Sequence, residues 1–281
     1  MNWKQTLFWS FSTAAIFYYF LLFGVFVFVG QEEMQLFIPE WWYIREFLFQ
    51  PGGFCAVAGQ WIIQYYRQPM SAVVLHTVLL VGCGFMVYRI LRCFSDKTYL
   101  LFLSLLPVLY LVKMSIHGEY LVDGTVGVVL MLLALSVSLK VRRAGSIAGY
   151  GIASILFLCG LTGLLSVCYA FLYTLLALLR YKTSRQRLAA AACLIPALFI
   201  YLFSGWLGIP VPLSDGWMPE AYLEIQRLPH YYMYRVWTFF TLSIVGVALF
   251  ARFVPVIGEK SKWMDRVALV VCLITALVSI R

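Results

Sequence analysis

From Ser146 to Leu179 the chain runs through 34 residues without an Asp, Glu, Lys or Arg, between Lys140, Arg142 and Arg143 on one side and Arg180 and Lys182 on the other. As one helix this segment would be about 51 Å long, at about 1.5 Å per residue, whereas the hydrocarbon core of a bilayer is about 30 Å thick. It must turn back on itself. Gly160-Leu161-Thr162-Gly163 near its middle is the natural reversal, because glycine tolerates the backbone angles of a tight turn. Both ends of the hairpin then return to basic loops on one side.

The rest of the chain repeats this pattern. Basic clusters recur at Lys4, at Arg89, Arg92 and Lys97, at Lys140 to Arg143, at Arg180 to Arg187, and at Arg252 to Arg266, and they hold 15 of the 21 Lys and Arg. Short loops rich in these residues stay cytosolic, so successive clusters enclose an even number of crossings and the N-terminus is cytosolic. The expected spans are 6–29, 71–90, 98–114, 123–139, 146–160, 163–179, 188–205, 236–251 and 264–280. The fold class is therefore all-α: a polytopic membrane helical bundle of about nine transmembrane helices, forming a single transmembrane domain over 1–281. Composition agrees, since charged residues make up 12% of the chain against about 25% in soluble proteins. The first apolar run, Leu7 to Val29, exceeds the roughly 7–15 residues of a signal-peptide core, so it is expected to remain as a span. The net charge of +9 lies in these short loops, which assigns it to the membrane surface rather than to nucleic acid.

The outer side receives loops 30–70, 115–122, 161–162 and 206–235, which with their edges carry nine of the twelve acids. In loop 30–70, a Pro51-Gly52-Gly53 break separates two aromatic-rich stretches, and Phe54, Val57, Trp61, Ile62 and Tyr65 recur at roughly helical spacing. Two amphipathic interfacial helices are expected there, with Trp and Tyr at headgroup level.

Chemistry concentrates in these loops. Glu32, Glu33 and Asp123 adjoin span ends, where an unpaired carboxylate is costly, and they are the candidate catalytic acids. Glu119 and Asp123 are candidate ligands for a divalent cation, the one cofactor the residues suggest. Arg67, Lys113, Arg227 and Arg235 break the basic-inside rule, and with His117 they are candidate substrate-binding residues, facing a lipid phosphate or the neighbouring acids. Retention of acids by outer loops accounts for the same residues without chemistry. The three histidines, His76, His117 and His230, all map to the outer half, with a spacing that matches no zinc motif. The spans carry almost no charge between their ends, which counts against an ion-coupled carrier.

Glu32 and Glu33 after the first span, Glu119 and Asp123 before the fourth, and loop 206–235 after the seventh together resemble the GT-C class of membrane glycosyltransferases. The segment Gln31 to Phe37, followed by Pro51-Gly52-Gly53, also looks like the start of an uncharacterised bacterial multispan family. The GT-C resemblance implies transfer of a sugar from a polyprenyl-phosphate donor at the outer face of a bacterial cytoplasmic membrane. Glu33 or Glu32 would deprotonate the acceptor hydroxyl, while Lys113, Arg67 or a cation held by Asp123 and Glu119 stabilised the departing phosphate. Two departures stand out: Glu-Glu replaces the usual Asp-x-Asp or Asp-Glu, and no soluble domain follows the last span. The alternative is a non-catalytic scaffold or a lipid-binding or transport subunit.

Overall fold

The computed structural model describes residues 3–34, 37–117, 120, 122–163, 165–203, 231–253, 265–272 and 275. Among them the regular structure is helical throughout. The helices are α1 (Trp3–Phe23), α2 (Val25–Met34), α3 (Trp41–Leu48), α4 (Gly53–Ile63), α5 (Pro69–Leu91), α6 (Tyr99–Leu103), α7 (Leu106–Met114), α8 (Val122–Ser138), α9 (Ala144–Thr162), α10 (Leu165–Arg180), α11 (Ser184–Ala191), α12 (Leu194–Leu202) and α13 (Tyr231–Phe253). Among the described residues four stretches are long and apolar enough to cross a membrane: Gln5–Phe23, Pro69–Leu91, Ala144–Thr162 and Ser184–Leu202. Tyr99–Met114, Val122–Ser138, Leu165–Arg180 and Phe239–Arg252 are shorter apolar helices.

The breaks have local causes. The run expected as one span over 6–29 divides at Gly24 into α1 and α2, with the hydrogen bonds from the Gly24 N–H to the Phe20 carbonyl at 2.8 Å and from the Phe28 N–H to the Gly24 carbonyl at 3.0 Å carried across the division. The Phe28 ring packs against Gly24, where a Cβ would lie 2.8 Å from it. Pro107 opens α7, because its ring cannot follow a helical residue four positions earlier without displacing that carbonyl. The hairpin expected from the uncharged run turns at Gly163, whose φ of 62° lies in the region that favours glycine. Helices α9 and α10 pack against each other on either side of it.

Helix α8 is central, touching α4, α5, α9 and α10, while α1 packs on α5 and α7 packs on α13. Its middle is lined by Val128, Met131, Leu132 and Leu135, all buried in the core. The ends of the bundle differ in charge. The N-terminus of α8, the C-terminus of α2 and the start of α5 make up an acidic end. The loops joining α8 to α9 and α10 to α11 make up a basic end.

Two expectations for the first loop are revised. Glu32 and Glu33 lie not in a loop but in the last turn of α2, which runs on to Met34. Gln31 holds that turn in place, because its amide is buried against the chain that leads into α8. Of the two helices between 37 and 67, α3 has no buried residue, whereas α4 buries Gly53, Cys55, Ala56, Gly59, Gln60 and Ile63. Phe54, Trp61 and Tyr65 do face outward, as their spacing predicts. The opposite face of α4 packs on α8 and α9 rather than lying free.

Candidate functional site at the acidic end

Asp123 sits in the first turn of α8 and is only 3% exposed. One carboxylate oxygen accepts a hydrogen bond of 2.9 Å from the Gly124 N–H, a favourable place for negative charge at a helix start. Above it passes α4 at Gly59, where a Cβ would stand 2.7 Å from Asp123 Cβ and 2.9 Å from its backbone N. Glycine is what allows the two helices this approach. The start of α4 is fixed in turn by a hydrogen bond of 3.1 Å from the Gly52 N–H to the Gly160 carbonyl at the end of α9.

The C-terminus of α2 reaches the same place. Gln31 Nε2 donates to the Tyr120 carbonyl at 2.7 Å, and the Tyr120 hydroxyl lies 3.1 Å from Thr125 Oγ1 on α8. Residues 31 and 123 are thereby held across a span of nearly a hundred positions in sequence.

Behind Asp123 lies a pair of buried polar rings. Tyr66, in a single 3₁₀ turn at Gln64–Arg67, shares a hydrogen bond of 2.5 Å with His76 Nε2 on α5. Neither is appreciably exposed, at 0% and 1% respectively. The imidazole stacks on Phe28 at 4.2 Å between centroids, with Phe20 tilted against it at 5.5 Å. Burial, and secondarily the charge of Asp123, hold the Tyr66 phenol well above its ordinary value, so the hydroxyl stays protonated. His76 Nδ1 and Gln31 Oε1 are buried without a hydrogen-bond partner among the described residues. A neutral imidazole has one donor and one acceptor nitrogen, and an unmet one costs about 1–3 kcal/mol.

The sequence-predicted residues fall out as follows. Asp123 is buried at the centre of this cluster, Glu32 is half-buried and Glu33 exposed at the end of α2. Arg67 is exposed, one residue beyond Tyr66. Lys113 is half-buried in the last turn of α7, and His117 is exposed beyond it. Glu119, Arg227 and the side chain of Arg235 lie outside the described residues. Among the described residues no group of three or more His, Cys, Asp and Glu stands close enough to hold a metal ion. The expected Glu119–Asp123 cation site has one member, Glu119, outside the described residues.

Sequence reasoning placed His76 in the outer half but missed Tyr66, Gln31 and Gly59. Tyr66 lies between exposed neighbours Tyr65 and Arg67, and nothing in its spacing separates it from them. Gly59 did have a signal: Gly52, Cys55, Ala56 and Gly59 form a small-residue stripe at helical spacing, the mark of close helix approach.

The fold defines an all-helical chain with several helices apolar enough for a bilayer and a buried acid, phenol and imidazole gathered at one end. The chain belongs to the Family of unknown function (DUF6057), which matches residues 1–277. No curated protein and no solved structure matches it.

Proposed function

We propose that the chain crosses the membrane about nine times with a cytosolic N-terminus, and that its acidic end transfers a sugar from a polyprenyl-phosphate donor at the outer face. The observation that carries this reading is the Gln31–Tyr120 hydrogen bond. It pins the helix end bearing Glu32 and Glu33 to the helix start bearing buried Asp123. The reading assigns carboxylates from separate elements to one site, as a general base and a charge or metal anchor require. Tyr66 and His76 act from behind, fixing the position of α8 and the polarity around Asp123.

A lipid donor also needs a seat for its chain. A groove of about 470 Å³ runs along the edge of α4 and α5, lined by Trp61, Ile62, Tyr65, Met70, Val74 and Leu75, with Ser71 its one polar wall. Arg67 stands in the turn between these helices, where a guanidinium pairs well with phosphate. The groove equally favours the second reading, a lipid-binding scaffold without catalysis.

One experiment separates the two. Purified protein is incubated with a radiolabelled polyprenyl-phosphate sugar and a mixture of hydroxyl acceptors, and both lipid retention and sugar release are measured. The expected outcome is release by the wild type and its loss in Asp123→Asn, with retention of lipid unchanged. Retention without release by the wild type would install the scaffold reading, and absence of both would remove the lipid substrate altogether.

A further inference from the structure

Between Asp123 and Asp215 the sequence has no carboxylate, yet Lys140, Arg142, Arg143, Arg180, Lys182, Arg185 and Arg187 all fall within that stretch. The fold brings them together at the basic end. The loop after α8 and the loop after α10 are laced side by side: the Tyr181 hydroxyl donates to the Val141 carbonyl at 2.6 Å, and Gln186 Nε2 donates to the Arg142 carbonyl at 2.5 Å. Arg187 Nε closes the second loop on the Tyr181 carbonyl at 2.9 Å. None of the seven cations forms an ion pair among the described residues.

Backbone donors add to this field. Helices α9 and α11 both start here, and neither N-cap residue, Arg143 or Thr183, caps its helix with a side-chain hydrogen bond. The first-turn N–H groups of two helices therefore point into the same basic region, an arrangement suited to a phosphate. The Arg180 guanidinium has a buried nitrogen, Nη1, with no partner among the described residues, a donor still lacking its acceptor.

A second feature lies at the depth a lipid tail would reach. A groove of about 470 Å³ between α10 and α12 is lined by Val167, Phe171, Leu194, Ile195, Leu198 and Tyr201. Phe171 is nine residues from Arg180, or about 14 Å along the helix, close to the roughly 15 Å of hydrocarbon in one leaflet. Val167, Leu198 and Tyr201 lie deeper still, so a chain hanging from a phosphate at the laced loops would end at the near edge of this groove, beside Phe171 and Ile195. A small anion would leave it unused.

We propose that the basic end is a built site for one anionic diacyl phospholipid, its phosphate at the α8–α9 and α10–α11 loops and one chain ending at the near edge of the α10–α12 groove. The site lies at the opposite end of the bundle from Asp123 and does not depend on the chemistry proposed there.

The test uses the full chain in a mild detergent doped with phosphatidylglycerol or phosphatidylcholine, with bound lipid counted by native mass spectrometry. Phosphatidylglycerol should be retained in preference to phosphatidylcholine. The triple variant R142Q/R143Q/R185Q should lose roughly tenfold or more of that retention, while Arg45→Gln at the other end leaves it unchanged. Ile195→Trp, which narrows the groove at its near edge, should lower retention without changing the unfolding midpoint, since Ile195 is exposed. Equal retention of the two lipids, or equal retention by the triple variant, would overturn the proposal. So would inorganic phosphate alone displacing the lipid at millimolar concentration, since that would reduce the site to a small-anion site.

Discussion

Helices α3 and α4 are neighbours in sequence, 8 and 11 residues long, yet the fold treats them in opposite ways. Trp41 and Trp42 on α3 are 66% and 61% exposed, and a hydrogen bond from the Tyr43 hydroxyl to Gln60 Oε1 at 3.0 Å ties the helix to α4. Helix α4 presents Gly, Cys and Ala to α8 and α9 and becomes a wall of the site. Helix α4 carries no charged residue, whereas α3 carries Arg45 and Glu46, and the small residues of α4 are what permit the backbone approach that incorporates it.

The sharpest way to break this contrast is to remove the approach. Gly59→Ala places a methyl 2.7 Å from Asp123 Cβ, so α4 and the start of α8 must separate. A loss of about 1–3 kcal/mol is expected from such overpacking, read as a lower midpoint in detergent-solubilised unfolding. An unchanged midpoint would mean that α4 is held by something other than its contact with Asp123.

Next in size is the pair behind that contact. Tyr66→Phe keeps the ring but leaves His76 Nε2 without its partner, and a cost of about 1–3 kcal/mol follows for a buried group so exposed. The sign of its pH dependence is fixed by the raised phenol. A folded-state value above the unfolded one gives stability that is fully present below the ordinary tyrosine value, about 10, and is lost as pH rises past it. The wild type should therefore weaken above about pH 10 more steeply than Tyr66→Phe, a difference that denaturation at pH 9 and 11 would reveal.

The smallest effect belongs to α3. Replacing Trp41 and Trp42 together with alanine should move the unfolding midpoint by the equivalent of about 0.5 kcal/mol or less, because neither packs in the core. A drop as large as that of Gly59→Ala would show that α3 is held by the protein after all, and the comparison would fall.

Much of this was legible in the residues. The hairpin at Gly160 to Gly163 follows from an uncharged run too long for one crossing, and the bounds of α5, α8 and α9 lie within about two residues of the expected spans. The interruptions at Gly24 and within 98–114 were not read. Both breaks leave the chain apolar on either side, so a reading by charge and hydropathy runs straight through them. Asp123 was legible as a carboxylate at a span end, whereas its companions were not. Tyr66 and His76 are ten residues apart and meet only because the 3₁₀ turn at Gln64–Arg67 folds onto α5. Gln31 reaches Tyr120 across 89 residues, and no local pattern announces a contact of that range.

That long contact also has a consequence in time. Gln31, Gly59, Tyr66, His76 and Asp123 emerge from the ribosome in that order, and all lie in the first half of the chain. The amide of Gln31 must wait, its partner unmade, until the segment leading into α8 has been synthesised. From then on the buried acid has its walls, and α9 has only to dock its end against Gly52. Once α9 has cleared the ribosomal exit tunnel every side chain of the cluster is outside, so the acidic end can be complete before α13 has been translated. The basic end, built from loops on both sides of α9 and α10, can close only later. The two ends of one bundle are thus finished at different moments of its synthesis.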